Sequence, residues 1–166
     1  MTTSPRASTL LPSLAPRAQS WSLTEMTEYV LPQHANAFGT VFGGQIMAWV
    51  DLCGAICAQR HSGRPCVTAF VDDLLFEKPV KIGEVVRLRA RVTATFNTSM
   101  ELEIFVRGED SQTRQEWPCV NCLITFVALD EGRKPTPVPP LLLDSEELRA
   151  AQLAAEERRR VRLSKR

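Results

Sequence analysis

The sequence predicts an α+β domain in which an antiparallel sheet of about five strands wraps around one long helix. Three observations carry this expectation. Residues 42–60 form a strongly apolar stretch of helical length behind a glycine-bearing loop. Residues 86–96 and 100–106 alternate apolar and polar side chains with a period of two, as half-buried strands do. The element order is one strand, the helix, then four strands, which lets a single sheet close over a single helix. With 166 residues, 44% apolar and 23% charged, the chain suits one globular domain with its own core. A net charge of +1 provides no general attraction to nucleic acid or anionic membrane.

In chain order, residues 1–20 are rich in Ser, Thr, Pro, Leu and Ala and hold no acidic residue. This is the composition of a disordered tail, and also of a weak organellar transit segment; the tail is the expected reading. No secretory signal or membrane-spanning run is visible, so a cytoplasmic protein is expected. Residues 22–31 read as a first strand closed by Pro32. The loop at residues 36–44 opens the helix, which ends before Ser62-Gly63 and Pro65. Residues 66–76 are apolar on both faces and read as a central strand covered on both sides.

In residues 86–96 the even positions from Val86 to Phe96 are apolar, opposite Arg87, Arg89 and Arg91. In residues 100–106 the even positions are again apolar, opposite Glu101 and Glu103. A two-residue turn at Asn97-Thr98 mixes the faces of this hairpin, so an odd loop 96–98 is expected, setting Arg91 across from Glu103. Residues 117–129 supply the last strand. A proline-rich exit follows, and then a helix opened by Asp144-Ser145-Glu146-Glu147, with a thin apolar face that suggests a peripheral, frayed element. The expected division is therefore tail 1–20, domain 21–130, and exit with C-terminal helix 131–166.

Between Phe38 and Ala58 the only charged side chain is Asp51. Apolar residues on nearly every side of the helix predict burial, and a buried carboxylate needs a partner or a chemical purpose. From this pattern alone, a catalytic Asp51 and one that caps or pairs inside an interface are equally good readings. Gly43-Gly44 reads equally as a donor pair and as room for helix packing. The five cysteines read as reduced core fillers. Cys119 and Cys122 lie in a strand pattern, where that spacing points them to opposite faces, so no metal site is expected. His61 reads as a favourable charge at the helix end, and Trp49 as packing.

The run from Leu31 to Asp51, containing Asn36-Ala37-Phe38-Gly39-Thr40-Val41-Phe42-Gly43-Gly44, resembles the signature of the hotdog-fold acyl-CoA thioesterases. Later pieces are similar to that family in the same order: Arg60-His61, Val71-Asp72, Lys78-Pro79-Val80, Gly83-Glu84-Val85-Val86 and Thr98-Ser99-Met100. The resemblance covers roughly residues 25–130. It implies a hotdog fold, a homodimer as minimum unit with trimers of dimers common, and hydrolysis of fatty acyl-CoA to acid and coenzyme A. It also implies Asn36 of one subunit and Asp51 of the other as catalytic residues. Thr98 and Ser99 match a position near the pantetheine arm. His34 stands where many relatives carry an acidic residue.

The chemistry is coherent on the same residues. Asp51 can serve as general base for water or as a nucleophile, and Gly43 and Gly44 can offer N–H groups to the carbonyl oxygen. No metal or cofactor is expected, coenzyme A being part of the substrate; neither nucleic acid nor membrane is an expected partner. Two alternatives remain open: a hotdog enoyl-CoA hydratase, and a non-catalytic acyl-CoA-binding sensor or assembly module. Arg60, Arg64, Lys78 and Arg133 are candidates for coenzyme A phosphates without a basis for choosing among them.

Overall fold

The computed structural model describes residues 13–165. The expectation for residues 1–12 lies outside the described residues. A short helix α1 (Gln19–Ser22) leads into strand β1 (Thr24–Tyr29), and a 3-10 turn (Pro32–His34) precedes helix α2 (Gly43–Ser62). Strands β2 (Cys66–Phe76), β3 (Val85–Thr95), β4 (Ser99–Glu109) and β5 (Glu116–Ala128) follow, and helix α3 (Glu146–Ser164) is the last described element. The five strands form one sheet in the order β1-β3-β4-β5-β2, with every neighbouring pair antiparallel. Helix α2 packs against all five strands, which gives the hotdog arrangement expected from the sequence.

The closeness of that packing rests on Gly54. A Cβ there would meet Ile104 and Phe126 side-chain carbons at 2.8 Å, so only glycine lets the helix lie this near the sheet. At its C-terminus α2 stops on Gly63 in a left-handed conformation (φ 67°), whose N–H closes onto the Gln59 carbonyl. Cys53 and Cys57 are buried with their thiols near the backbone carbonyls of Thr24 and Ala90. Burial pushes these thiols up to about 11 and about 12, as befits uncharged core fillers.

Strand β2 departs from expectation. It is an edge strand, not a central one, and Val67, Phe70, Val71, Leu75 and Phe76 are exposed along it. Its apolarity on both faces is real, but among the described residues no second strand covers its outer edge. Register shifts fall between Thr68 and Phe70 and between Asp72 and Leu75.

The β3–β4 hairpin solves its parity problem differently from the expected odd loop. Arg91 does pair with Glu103, at 2.8 Å. The ladder then shifts register between Val92 and Ala94, and the Phe96 N–H bonds to the Ser99 carbonyl across a tight turn. A bulge at Thr93, not a longer loop, restores the faces. A second shift between Val106 and Arg107 of β4 leaves both Cys119 and Cys122 buried, so the simple alternation expected for that pair does not hold.

Helix α3 is docked across the outer face of the sheet, not frayed. Its N-cap is Ser145, one residue later than Asp144, and accepts the Leu148 N–H. Glu101, expected on a solvated strand face, is 0% exposed beneath the helix. Arg158 grips it through two bonds, Nη2 to Oε1 at 2.7 Å and Nε to Oε2 at 3.1 Å. Arg162 pairs with Asp72 at 2.6 Å, and its guanidinium lies 4.7 Å from the centre of the Phe70 ring. Removing one partner of a buried pair strands the other charge, so Arg158→Ala is expected to cost about 3–5 kcal/mol. Urea unfolding at fixed protein concentration checks this, and Glu101→Leu combined with Arg158→Met is expected to recover most of the loss.

Residues 17–20, read as part of the tail, are instead tied down. Arg17 forms a parallel bridge with Leu141, and its guanidinium donates to the carbonyls of Arg60 and His61. His61 sits at the centre of this junction, fully buried, so it is not a helix-end charge. Its Nε2 donates to the Pro139 carbonyl at 3.1 Å, and a carbonyl can only accept, so Nδ1 is left to accept from Ser22 Oγ at 3.4 Å. Burial lowers its pKa below the ordinary 6.5. Above pH 6.5 folded and unfolded chains both hold the ring neutral. Below that value the unfolded chain takes up the proton first, so stability is expected to fall as pH drops. Urea midpoints at pH values either side of 6.5 test this, with a flatter profile expected for His61→Gln.

Candidate active site

The loop entering α2 is organised by Asn36. Its Oδ1 accepts the Phe38 N–H at 2.9 Å and the Thr40 N–H at 3.3 Å, while Nδ2 donates to Thr40 Oγ1 at 3.0 Å. These bonds close an Asx-type turn of the kind short polar side chains make with their own backbone. Gly39 sits within it at φ 72°, a left-handed position that favours glycine. Phe38 at the tip is 90% exposed. Among the described residues, every hydrogen bond of the Asn36 side chain stays inside this loop.

The loop delivers the chain directly to the start of α2. Its N-cap, Phe42, provides no side-chain cap, and the first helical bonds run from Gln45 and Ile46 back to the Phe42 carbonyl. The N–H groups of Gly43 and Gly44 therefore have no partner among the described residues, as expected of a first helical turn. Packing does not demand these glycines. A Cβ at Gly43 would touch Phe76 at an ordinary 3.5 Å, and one at Gly44 would come within 2.6 Å of the ring of Phe42, an exposed side chain that would have to turn aside.

Asp51 is not buried in the single chain; it is exposed. Together with Gly44, Ala48 and Leu52 it lies on an exposed stripe of α2 that carries no other charge. The helix is thus apolar all round without being covered all round. Thr68 of β2 donates its hydroxyl to Asp51 Oδ1. Thr68 was not singled out from the sequence; a hydroxyl within an otherwise apolar strand was the available signal. Neither histidine pairs with Asp51: His61 is held as described, and His34 accepts the Leu31 N–H with its ring edge-on to the buried Trp49.

Distances along α2 separate these groups within one chain. Gly44 and Asp51 are seven residues apart, about 10 Å along the helix axis. Thr98 and Ser99 lie in the β3–β4 turn, where Ser99 pairs with Val127 and Val127 in turn with Val67. They are therefore nearer the Thr68 end of the sheet than the Phe76 end beside Gly43. One chain accordingly keeps two groups apart along α2: the Asn36 loop leading into Gly43 and Gly44, and Asp51 with Thr68.

Of the basic candidates for phosphate binding, Arg60 is engaged with the Leu23 carbonyl and Thr24 Oγ1. Among the described residues no group of three or more His, Cys, Asp or Glu side chains is placed to hold a metal ion. No described helix is long and apolar enough to cross a membrane.

Comparison with known proteins decides the family. The thioesterase superfamily model matches residues 38–114. The crystal structure of an apo hexameric acyl-CoA thioesterase superimposes with a TM-score of 0.85 at 32% identity, covering 91% of this chain and 97% of that one. The chain belongs to the hotdog-fold acyl-CoA thioesterases. Another member, the acyl-CoA hydrolase of Staphylococcus aureus solved with butyryl coenzyme A, coenzyme A and coenzyme A disulfide, gives a TM-score of 0.80 at 32% identity, over 90% of this chain and 91% of its own. Mutants of that hydrolase with an Asp, an Asn or a Thr replaced by Ala have also been solved. The acetyl-coenzyme A thioesterase of Rattus norvegicus is 40% identical over 83% of this chain. Only 25% of the rat protein is matched, so the chain spans about a quarter of that relative's length.

Proposed function

We propose that this protein hydrolyses fatty acyl-CoA to free acid and coenzyme A in a site assembled from two copies of the chain. The observation that carries the reading is the separation of the two half-sites on α2. One thioester carbonyl cannot reach N–H donors and a carboxylate about 10 Å apart along one helix. It can do so if Asn36, Gly43 and Gly44 of one subunit face Asp51 of the partner subunit. The exposed apolar stripe around Asp51 and the uncovered edge of β2 supply a surface for that pairing, since unpaired apolar edges are normally covered.

In this arrangement the free N–H groups at the helix start hold the thioester oxygen as negative charge develops on it. Thr68 fixes one oxygen of Asp51, leaving the other to take a proton from water as the water attacks the carbonyl carbon. Collapse of the intermediate breaks the C–S bond and expels the coenzyme A thiolate. Asn36, held rigid by its loop, is placed to orient the water or the carbonyl. No metal or cofactor enters this scheme, because water is the only co-substrate. Thr98 and Ser99 are assigned to the pantetheine arm. Support also comes from the Staphylococcus hydrolase, whose substituted Asn, Asp and Thr are separated in sequence as Asn36, Asp51 and Thr68 are here. The hexameric relatives make a trimer of dimers the expected assembly.

Thiol release from a series of acyl-CoAs, acetyl to palmitoyl, tests the reading. Turnover is expected with at least one member of the series. Binding of acyl-CoA with no thiol released from any of them would overturn hydrolysis and leave a binding module.

A further inference from the structure

Gly43, whose N–H has no partner among the described residues, lines a cleft of about 220 Å³. Gly43, Val41, Ile46, Val80 and Cys119 line it together with Phe76, and the exposed Glu77, Lys78 and Pro79 follow Phe76 along its rim. Burial gives the cleft a direction. Phe76 is 47% exposed and marks the mouth, whereas Ile46, Val80 and Cys119 are each 2% exposed and form the floor. We infer that this cleft holds the acyl chain of the substrate, and that Cys119 at its floor and Phe76 at its mouth set the chain length accepted.

The inference rests on the thioesterase reading above, because it takes the carbonyl to lie at Gly43. From that point a substrate extends two ways. The pantetheine arm carries amides and ends in phosphates, and its polar groups would lose their partners among Val41, Ile46 and Val80. An acyl chain gains by the same contacts. Cys119 serves as wall and not as a reactive group, since burial pushes its thiol up to about 11.

Size narrows the substrate class. A cavity of about 150 Å³ takes a six-carbon ring. On that scale about 220 Å³ takes roughly eight or nine carbons, a medium-length acyl group. Each methylene that enters the cleft is worth about fourfold in kcat/KM. The gain is expected to continue from acetyl-CoA to about the octanoyl ester and then to level off.

The test is the ratio of kcat/KM for octanoyl-CoA over acetyl-CoA in wild type, Cys119→Leu and Phe76→Ala. Leucine at the floor fills the volume of about two methylenes, so the ratio is expected to fall by roughly tenfold or more, with the optimum moving to shorter chains. Phe76→Ala removes one wall at a position exposed in the single chain, and is expected to lower the ratio several-fold, with the elution volume of the oligomer checking that assembly is kept. This second variant carries the test if Cys119→Leu fails to fold. Wild-type ratios in folded, active variants would overturn the acyl cleft and leave the thioesterase standing. No thiol release by wild type from any acyl-CoA would instead overturn the reading on which the cleft depends.

Discussion

Replacing Asp51 with alanine is expected to lower kcat for thiol release by about 10²–10⁴-fold while the protein stays folded. The magnitude is that of removing a positioned general base. The unchanged fold follows from the structure. Within the chain Asp51 is exposed and, among the described residues, is bonded to the exposed Thr68 hydroxyl, so alanine leaves no cavity and strands no buried donor there. Circular dichroism and the elution volume of the oligomer check the fold, and steady-state kinetics check the rate. Thr68→Val is the companion substitution. It keeps the shape but removes the bond to Asp51, and a smaller loss is expected because the carboxylate remains present but less well held. Full activity of folded Asp51→Ala would remove Asp51 from the mechanism.

Mixing two inactive subunits is expected to restore activity. In a dimer of one Asn36→Ala chain and one Asp51→Ala chain, both lesions fall in one of the two composite sites. The other site keeps an intact Asn36 from one subunit and an intact Asp51 from its partner. Random assembly makes about half the dimers mixed, each with one good site, so roughly a quarter of wild-type activity is expected. Each variant alone is expected to be nearly inactive. Coexpression with two affinity tags isolates the mixed species. If the site lay within one chain, every chain in the mixture would carry one lesion and no activity would return. The outcome therefore decides directly whether the half-sites on α2 work across an interface.

Much of this architecture was legible in local pattern. The alternation in residues 86–96 and 100–106 located β3 and β4, and the pairing of Arg91 with Glu103 followed from parity. The glycine loop and the apolar run located α2 to within a couple of residues at either end. These features are legible because period, punctuation and helix ends depend on neighbours in sequence. The departures all involve partners distant in sequence. The bulge at Thr93 coincides with a threonine whose hydroxyl turns to Glu101, beneath a helix that begins more than forty residues later. Glu101 reads as solvent-facing until α3 arrives to bury it with Arg158.

The candidate site divides along the same line. The sequence by itself determined the residue types and their order: Asn36 in a turn, glycines at an uncapped helix start, and one carboxylate on an apolar helix. It also determined the family through that ordered set. Only the tertiary structure decided that Asp51 is exposed in the single chain, that Thr68 holds it, and that β2 is an edge strand. An apolar residue reads the same whether its cover is its own chain or another copy, because hydrophobicity records the need for burial and not the identity of what buries it. Strand order and the two exposed surfaces are set by contacts between elements far apart in sequence, which no local period encodes.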